Sequence, residues 1–505
     1  MNLEGYLEKY FGYTNFRPGQ KETIMQIMDG KHTLSMLPTG TGKSLCYQLP
    51  VYIMNKPAVV VSPLLSLMQD QAEQIRVRGE KRVVSFNSFL SFEEKRYALN
   101  HLHTYRFIFV SPEMLNSKQL LEGLKKLDIG LFVVDEAHCI SQWGYDFRPD
   151  YLNLGPVRKE LGYPLTLALT ATATPAVRSD IIRELGEDGF TEILSSVDRS
   201  NIALRVEKCS SYEEKQERLL TLVKDLQGPG IVYFSSKKTA ETAASLLQRN
   251  GTGRTAFYHG GLEQEQRILI QQQFIKGELD LICATSAFGM GINKENVRYV
   301  IHFQMPMQME SYVQEIGRAG RDGKDSAAIL LYLEGDEGLQ LNFIENELPS
   351  GNQIRGIMSY LRSKNPSSSE ELSQIMLHED LAGFFSLNEI QLRITQHLLQ
   401  SVNDMDDFNT VQADMIGFVE KRKEAKIQKL RSLLNWVHTD TCRRTLITRY
   451  FQQDILQKPE QCCDNCGMNI GAYYQTDMPD NVDESRLVFD WKEELIDMLI
   501  PGRNE

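Results

Sequence analysis

The 505-residue chain has no uninterrupted apolar stretch of the length needed to cross a bilayer, which argues against a helical membrane protein. Its opening residues, Met1-Asn2-Leu3-Glu4-Gly5-Tyr6, lack the basic flank and apolar core of a secretory signal, so a cytoplasmic location and no membrane partner are expected. Positive charge is not in excess either. The 55 Lys and Arg against 67 Asp and Glu leave a net charge of −12, which speaks against a protein that coats nucleic acid nonspecifically but says little about a local basic groove. No internal repeat or long low-complexity tract is visible. Four of the eight cysteines, Cys46, Cys139, Cys209 and Cys283, are scattered through apolar or motif segments and read as small reduced core residues, not as a disulfide framework. The other four cluster late in the chain.

What is present is ordinary soluble composition, 42% apolar and 24% charged. At ~100–200 residues per domain the length implies about three or four domains. Short apolar runs at 58–62, 107–111, 131–135, 165–170, 230–234, 279–285 and 299–303 alternate with amphipathic stretches, the pattern of buried parallel strands under covering helices. The expected fold class is therefore α/β, with two parallel-sheet lobes at 1–204 and 205–340 and a polar bridge, Asp198-Arg199-Ser200-Asn201, just before the boundary. Beyond about 340 the periodicity turns helical. A helical insert is expected at 341–410, where Ser369-Glu370-Glu371-Leu372 and Ser386-Leu387-Asn388-Glu389-Ile390 suit helix starts of a small helix-turn-helix-like module. A helical cysteine-bearing module at 411–470 and an acidic tail at 471–505, with one helix at 484–499, complete the chain.

Three short motifs carry the chemistry. In Pro38-Thr39-Gly40-Thr41-Gly42-Lys43-Ser44, glycines let backbone N–H groups approach a triphosphate, Lys43 adds charge, and the Ser44 hydroxyl suits a magnesium ion. The strict phosphate-loop pattern wants glycine at 37 and finds Leu37, so a plain turn stays open for this stretch alone. The strand Leu131–Val134 delivers Asp135-Glu136-Ala137-His138 at its C-terminal end, where ligands sit in such sheets. There Asp135 would hold magnesium through water and Glu136 would orient and deprotonate the attacking water; capping of a helix is the plainer alternative. In Gln314-Glu315-Ile316-Gly317-Arg318-Ala319-Gly320-Arg321, the two arginines three apart would share a helix face and either could reach a γ-phosphate held by the other lobe, unless they form an ion-paired surface. After the acidic motif, Trp143 and Phe147 with Arg148 offer base stacking and a backbone contact, or simply an apolar helix face.

These residues, with Phe11-Gly12-Tyr13, Phe16-Arg17-Pro18-Gly19-Gln20, residues 36–50, 135–149, 284–294 and 310–323, strongly resemble the RecQ family of superfamily 2 DNA helicases. The resemblance covers roughly 1–340 and the cysteine cluster. It implies two tandem RecA-like lobes followed by a mainly helical zinc-binding region, and an ATP-dependent 3′–5′ helicase of DNA repair and recombination. Single-stranded and forked duplex DNA would be its partners, with single-strand-binding protein or other repair proteins as further ones. By the same resemblance Arg17 and Gln20 would recognise adenine, and Thr39, Gly40, Thr41, Gly42, Lys43 and Ser44 would cradle the phosphates. Gln314, Arg318 and Arg321 would complete the ATP site. Ser62 and His259, in Ser62-Pro63-Leu64 and Tyr258-His259-Gly260-Gly261-Leu262, would line the DNA track with Trp143, Phe147 and Arg148. His138, Thr170 and Thr172 would couple ATP state to DNA and lobe movement.

Cys442, Cys462, Cys463 and Cys466 are the right number for a tetrahedral zinc site, and Cys442-Arg443-Arg444 leading to Tyr450-Phe451 looks like the helix entering the RecQ zinc module. The adjacency of Cys462 and Cys463 departs from the family spacing and leaves a three-ligand site, or a redox C-x-x-C pair, open. Upstream, Lys421, Arg422, Lys423, Lys426, Lys429 and Arg431 form either a phosphate-tracking stripe or a solvated helix face. Only 39 residues follow Cys466, too few for the family's winged helix, so unwinding geometry stays open. The alternatives are a DNA-stimulated translocase or strand-annealing factor, an RNA-directed motor, and a zinc-bearing DNA-binding regulator that no longer hydrolyses ATP.

Overall fold

The computed structural model describes residues 1–87, 90–141, 148–186, 189–289, 294–364, 381–400, 408–455 and 457–475. Seven strands form the first sheet: β1 (Thr33–Met36), β2 (Ala58–Val61), β3 (Val83–Phe86), β4 (Phe107–Val110), β5 (Leu131–Val134), β6 (Thr166–Thr170) and β7 (Thr191–Leu194), in the order β3-β4-β2-β5-β6-β1-β7. Six more form the second: β8 (Ile202–Cys209), β9 (Gly230–Tyr233), β10 (Thr255–Tyr258), β11 (Leu281–Ala284), β12 (Tyr299–His302) and β13 (Ser326–Leu333), in the order β10-β11-β9-β12-β13-β8. The strand pairings are parallel throughout both sheets. Parallel strands need crossover helices on both faces, which is why β1, β2, β4, β5, β9, β11 and β12 are buried along their whole length.

Register decides where the site can form. Met36 pairs with Thr170 and Val61 with Val134, so the segments leaving β1, β5 and β6 emerge side by side at one edge of the sheet. Strand β8 already belongs to the second sheet, so that lobe begins at Ile202, slightly before the expected boundary.

The C-terminal region is helical, as its periodicity suggested: 337–347, 351–364, 381–385, 389–400, Phe408–Val437 and Arg443–Tyr450. The 30-residue helix Phe408–Val437, about 45 Å long at 1.5 Å per residue, joins two cores. Its first half packs Met415 and Val419 against Ile354, Ile357 and Met358 of the insert. Its second half places Leu430, Leu433 and Trp436 in a cluster continuous with both lobes.

Two helices joined by a short turn lie in the described part of this region. Leu381–Phe385 ends at Ser386 with φ 50°, and Asn388 caps Glu389–Gln400 through reciprocal bonds with Gln391 at 2.9 and 3.0 Å. Among the described side chains, the exposed face of the second helix carries Ile390 and a Glu389–Arg393 ion pair of 2.6 Å. The helix starts expected at Ser369 and at 484 lie outside the described residues.

Four of the six cations of the basic run are engaged elsewhere than on a free stripe, while Lys421 and Arg431 are exposed. Lys423 pairs with Glu345 at 3.0 Å, Lys426 with Glu347, and Lys429 with Glu310 at 2.9 Å, while Arg422 is 4% exposed. These cations fasten the long helix to the second lobe and to the helix that follows it. Among the described residues no helix is long and apolar enough to cross a membrane.

Candidate ATP site and metal centre

Leu37 explains its own departure from the phosphate-loop pattern. Its N–H donates to Thr170 O at 3.0 Å, extending β1 by one residue, and its side chain is fully buried in the sheet core. The turning is done later, by Gly40 (φ 84°) and Gly42 (φ 74°), which occupy the left-handed region open to glycine. Gln20 donates from Nε2 to Thr41 O at 2.6 Å and Gly42 O at 3.1 Å, and Arg17 donates to Gly40 O. The two residues thus brace the loop from the segment before β1. Lys43 and Ser44 stand at the start of the helix Leu45–Met54, where the macrodipole favours an anion.

Asp135 continues β5 through its N–H to Val61 O at 2.9 Å. Glu136 follows at φ 47°, ψ 48°, a left-handed conformation that costs a non-glycine residue roughly 1–2 kcal/mol. The strained turn sets its carboxylate between Lys43 Nζ, 3.7 Å away, and His138 Nδ1 at 3.4 Å. His138 also meets Thr170 Oγ1 at 3.0 Å, and Thr170 donates to Thr172 O at 3.2 Å. The three expected coupling residues therefore form one hydrogen-bonded line from the acidic motif to the end of β6. Burial first, and then the charge of Glu136, push the Asp135 carboxyl up to about 6. A buried acidic pair beside one lysine suits a divalent cation, whose charge would favour the ionised form. Gln71 Nε2 lies 3.5 Å from Asp135 Oδ2 and its Oε1 accepts from Tyr47 at 2.6 Å, fixing the acid's orientation.

From the second lobe come Gln314, Arg318 and Arg321. The helix Met309–Ile316 ends before either arginine, so both sit on the turn 317–323 and not on a helix face as the spacing suggested; Gly320 (φ 56°) and Gly323 (φ 83°) make that turn. Both arginines still line the same cavity of about 310 Å³ as Lys43, Asp135 and Glu136. Arg318 donates to Gly289 O. Burial, followed by the charges of Arg318 and Arg199, pushes the Arg321 guanidinium down to about 9, a field that an anion entering the cleft would relieve.

The lobes touch at the phosphate loop itself. Thr39 Oγ1 donates to Gly317 O at 3.0 Å, and a Cβ built on Gly40 would lie 2.7 Å from Arg321 Cγ.

The expected DNA-contacting residues fare differently. The side chain of Ser62 is fully buried and that of His259 is 4% exposed. His259 Nδ1 accepts from Gly261 N at 3.2 Å and Nε2 faces Glu241 at 2.7 Å, which fixes the loop after β10. Arg148 donates to Pro63 O at 2.7 Å, tying the end of the aromatic segment to the loop after β2. Trp143 and Phe147 lie outside the described residues.

The four cysteine sulfurs lie within 4.8 Å of one another, with Cys442 and Cys462 at 3.6 Å and Cys463 and Cys466 at 3.3 Å. Tetrahedral zinc with thiolates at ~2.3 Å implies sulfur separations of about 3.8 Å, so the four-sulfur cluster has the size that ion needs. The adjacency of Cys462 and Cys463 is accommodated because Cys462 O accepts from Leu204 N at 3.2 Å. Cys463 O accepts from Cys466 N at 2.9 Å and Met468 N at 3.1 Å, closing a tight knuckle.

Sequence reasoning overlooked several contributors. Tyr13, quoted only as part of a motif, is 53% exposed at the cleft beside Arg17. Gln71 and Tyr151, which donates to Asp135 O at 3.1 Å, carry no local signal. Arg199 was noted only as a bridge.

Two parallel-sheet lobes gripping one anion-binding cleft define a nucleotide-driven motor of the helicase type. The chain matches the DEAD/DEAH box helicase family over residues 17–180, the helicase conserved C-terminal domain over 214–323 and the RecQ zinc-binding domain over 403–467. It is 44% identical to the probable ATP-dependent DNA helicase RecS of Bacillus subtilis, over 94% of this chain and 93% of that one. It is 40% identical to the ATP-dependent DNA helicase RecQ of the same organism, over 68% of this chain and 58% of that protein. Among solved structures, Mycobacterium smegmatis helicase Lhr bound to single-stranded DNA and AMP-PNP aligns at a TM-score of 0.53 and 18% identity, over 86% of this chain and 57% of that one. The DUF1998 helicase MrfA bound to DNA aligns at 0.56 and 19%, over 66% and 51%. The chain belongs to the RecQ family of ATP-dependent DNA helicases.

Proposed function

We propose that this protein tracks along single-stranded DNA from 3′ to 5′ and parts duplex strands at forks during repair or recombination, driven by ATP hydrolysis in the interlobe cleft. The observation that carries the reading is the convergence of Lys43, Glu136, Arg318 and Arg321, from both lobes, on one cavity.

Lys43 and the loop amides would hold the β- and γ-phosphates, with adenine against Arg17, Gln20 and Tyr13. Magnesium, held by Ser44 and through water by Asp135, would neutralise phosphate charge during transfer. Glu136 would take the proton of the attacking water, with His138 passing the state of its carboxylate to Thr170. Arg318 and Arg321 would meet the charge developing on the γ-phosphate, and Gln314 would orient it. Nucleotide binding would draw the lobes together and hydrolysis release them, so that alternating grip on the backbone gives a step. Contacts to phosphate, sugar and base faces would make the step tolerant of sequence. Polarity and the DNA substrate rest on the family; Trp143, Phe147 and Arg148 would sense the strand, and single-strand-binding or repair proteins would deliver it.

A forked duplex with one labelled strand tests the proposal. Strand release that needs ATP and a 3′ single-stranded tail is expected. Turnover without release would leave a translocase or annealing factor, and release only from a 5′ tail would reverse the polarity. Loss of DNA-stimulated turnover in Lys43→Ala, with DNA binding kept, is expected; full turnover in that variant would refute the site.

A further inference from the structure

Arg199 belongs to neither sheet, yet its guanidinium is held by backbone of both lobes. One terminal nitrogen donates to Thr39 O at 3.3 Å and Gly317 O at 3.2 Å, the other to Ala319 O at 3.2 Å and Gly320 O at 2.7 Å. The first acceptor is in the phosphate loop, and the other three are in the turn that carries Arg318 and Arg321. A flat, forked cation can serve four carbonyls spread in this way. An ammonium concentrates its donors at one point and cannot span them.

What places Arg199 comes from the far end of the chain. Arg444, 2% exposed and two residues after the zinc ligand Cys442, pairs with Asp198 and donates to Arg199 O at 2.9 Å. The same guanidinium reaches Ile202 O, at the start of β8, and lies 3.4 Å from Cys462 O. A continuous set of charge-assisted bonds therefore runs from the cysteine cluster through Arg444 to the connecting segment, and from there to both walls of the nucleotide cleft.

We infer that Arg199 is a positioning residue of the ATP site, which sets the spacing between the phosphate loop and the arginine turn, and that the Arg444–Asp198 bridge makes this spacing depend on the zinc module. The inference rests on the proposed ATP hydrolysis in this cleft and assigns part of its control to the cysteine-bearing region.

The test is steady-state ATP hydrolysis by the full chain at saturating single-stranded DNA, in Arg199→Ala, Arg199→Lys, Asp198→Asn, Arg444→Lys and the Asp198→Asn/Arg444→Lys pair, with zinc content and melting temperature recorded for each. Arg199→Ala is expected to lower kcat about tenfold or more while KM for ATP moves less than about threefold. Arg199→Lys recovers only part of the loss. Asp198→Asn and Arg444→Lys each lower kcat with zinc retained, and the pair is no worse than its more damaging member, as expected for two residues acting through one contact. Wild-type kcat in Arg199→Lys overturns the positioning role, even if Arg199→Ala does not fold. Independent multiplication of the two bridge effects, or a fall in melting temperature with kcat unchanged, overturns the link to the zinc module. Absence of DNA-stimulated turnover in the unaltered protein would instead refute the ATPase reading itself, a distinct result.

Discussion

Thr39 and Gly317 are 278 positions apart in sequence and bonded in the fold, with the threonine hydroxyl donating to the glycine carbonyl at 3.0 Å. A Cβ on Gly317 would stand 2.3 Å from that hydroxyl oxygen and 3.1 Å from Val313 O. Gly317 has φ −62°, so alanine strains nothing in the backbone and acts by contact alone. Gly317→Ala is expected to lower DNA-stimulated ATP hydrolysis about tenfold, with Thr39→Ala/Gly317→Ala regaining part of it. Steady-state kinetics check both, and an unchanged rate in the single variant would show that the lobes need no such close approach.

The ion pairs of the long helix give a prediction that separates fastening from DNA binding. Lys423 and Lys429 are committed to Glu345 and Glu310. Lys423→Gln is therefore expected to leave the dependence of DNA affinity on salt unchanged, whereas loss of a phosphate contact would reduce the slope by nearly one. Fluorescence anisotropy at several salt concentrations measures it.

Lys215 is 1% exposed and its ammonium meets Asp336, whose carboxylate also accepts from Leu333 N at 3.1 Å. Asp336→Ala would strand a buried cation and an N–H together, at a cost of about 3–5 kcal/mol. The second lobe should then unfold at lower denaturant concentration than the first, as read by chemical denaturation.

Zinc removal is expected to act on both lobes. The cysteine segment bonds the edge strand β8 at Leu204 and, through Asp464, at Val206 N at 3.2 Å. Chelation, or Cys463→Ser, should lower the melting temperature by roughly 10 °C or more, given how strongly a structural zinc couples to folding. Differential scanning fluorimetry with and without added zinc checks this.

Much of this could be read from residues in order. The strands β2, β4, β5, β6, β9, β11 and β12 announced themselves because burial on both faces demands unbroken apolar runs, although β1 and β13, equally interior, did not stand out. The outer strands did not: β7 is Thr191-Glu192-Ile193-Leu194 and half exposed, and β8 mixes Arg205, Glu207 and Lys208 into its length. The three motifs that line the cleft were legible because phosphate chemistry restricts both residue type and spacing. Arg199 was not, since its meaning lies in carbonyls that only the folded chain brings together, and carbonyls leave no mark on a sequence. The basic run misled for the opposite reason. Its partners Glu310, Glu345 and Glu347 are distant in sequence, so the cations looked unopposed until the helix was docked.

Gln453 donates to Ser195 O at 3.2 Å and accepts from Val197 N at 2.8 Å, while Arg444 and Cys462 hold Ile202 and Leu204 on the other side of the crossing. The segment from Arg444 to Cys462 thus splints the passage between the lobes. A single protease nick inside 196–201 would leave two pieces that still travel as one body through a sizing column, coming apart only in denaturant.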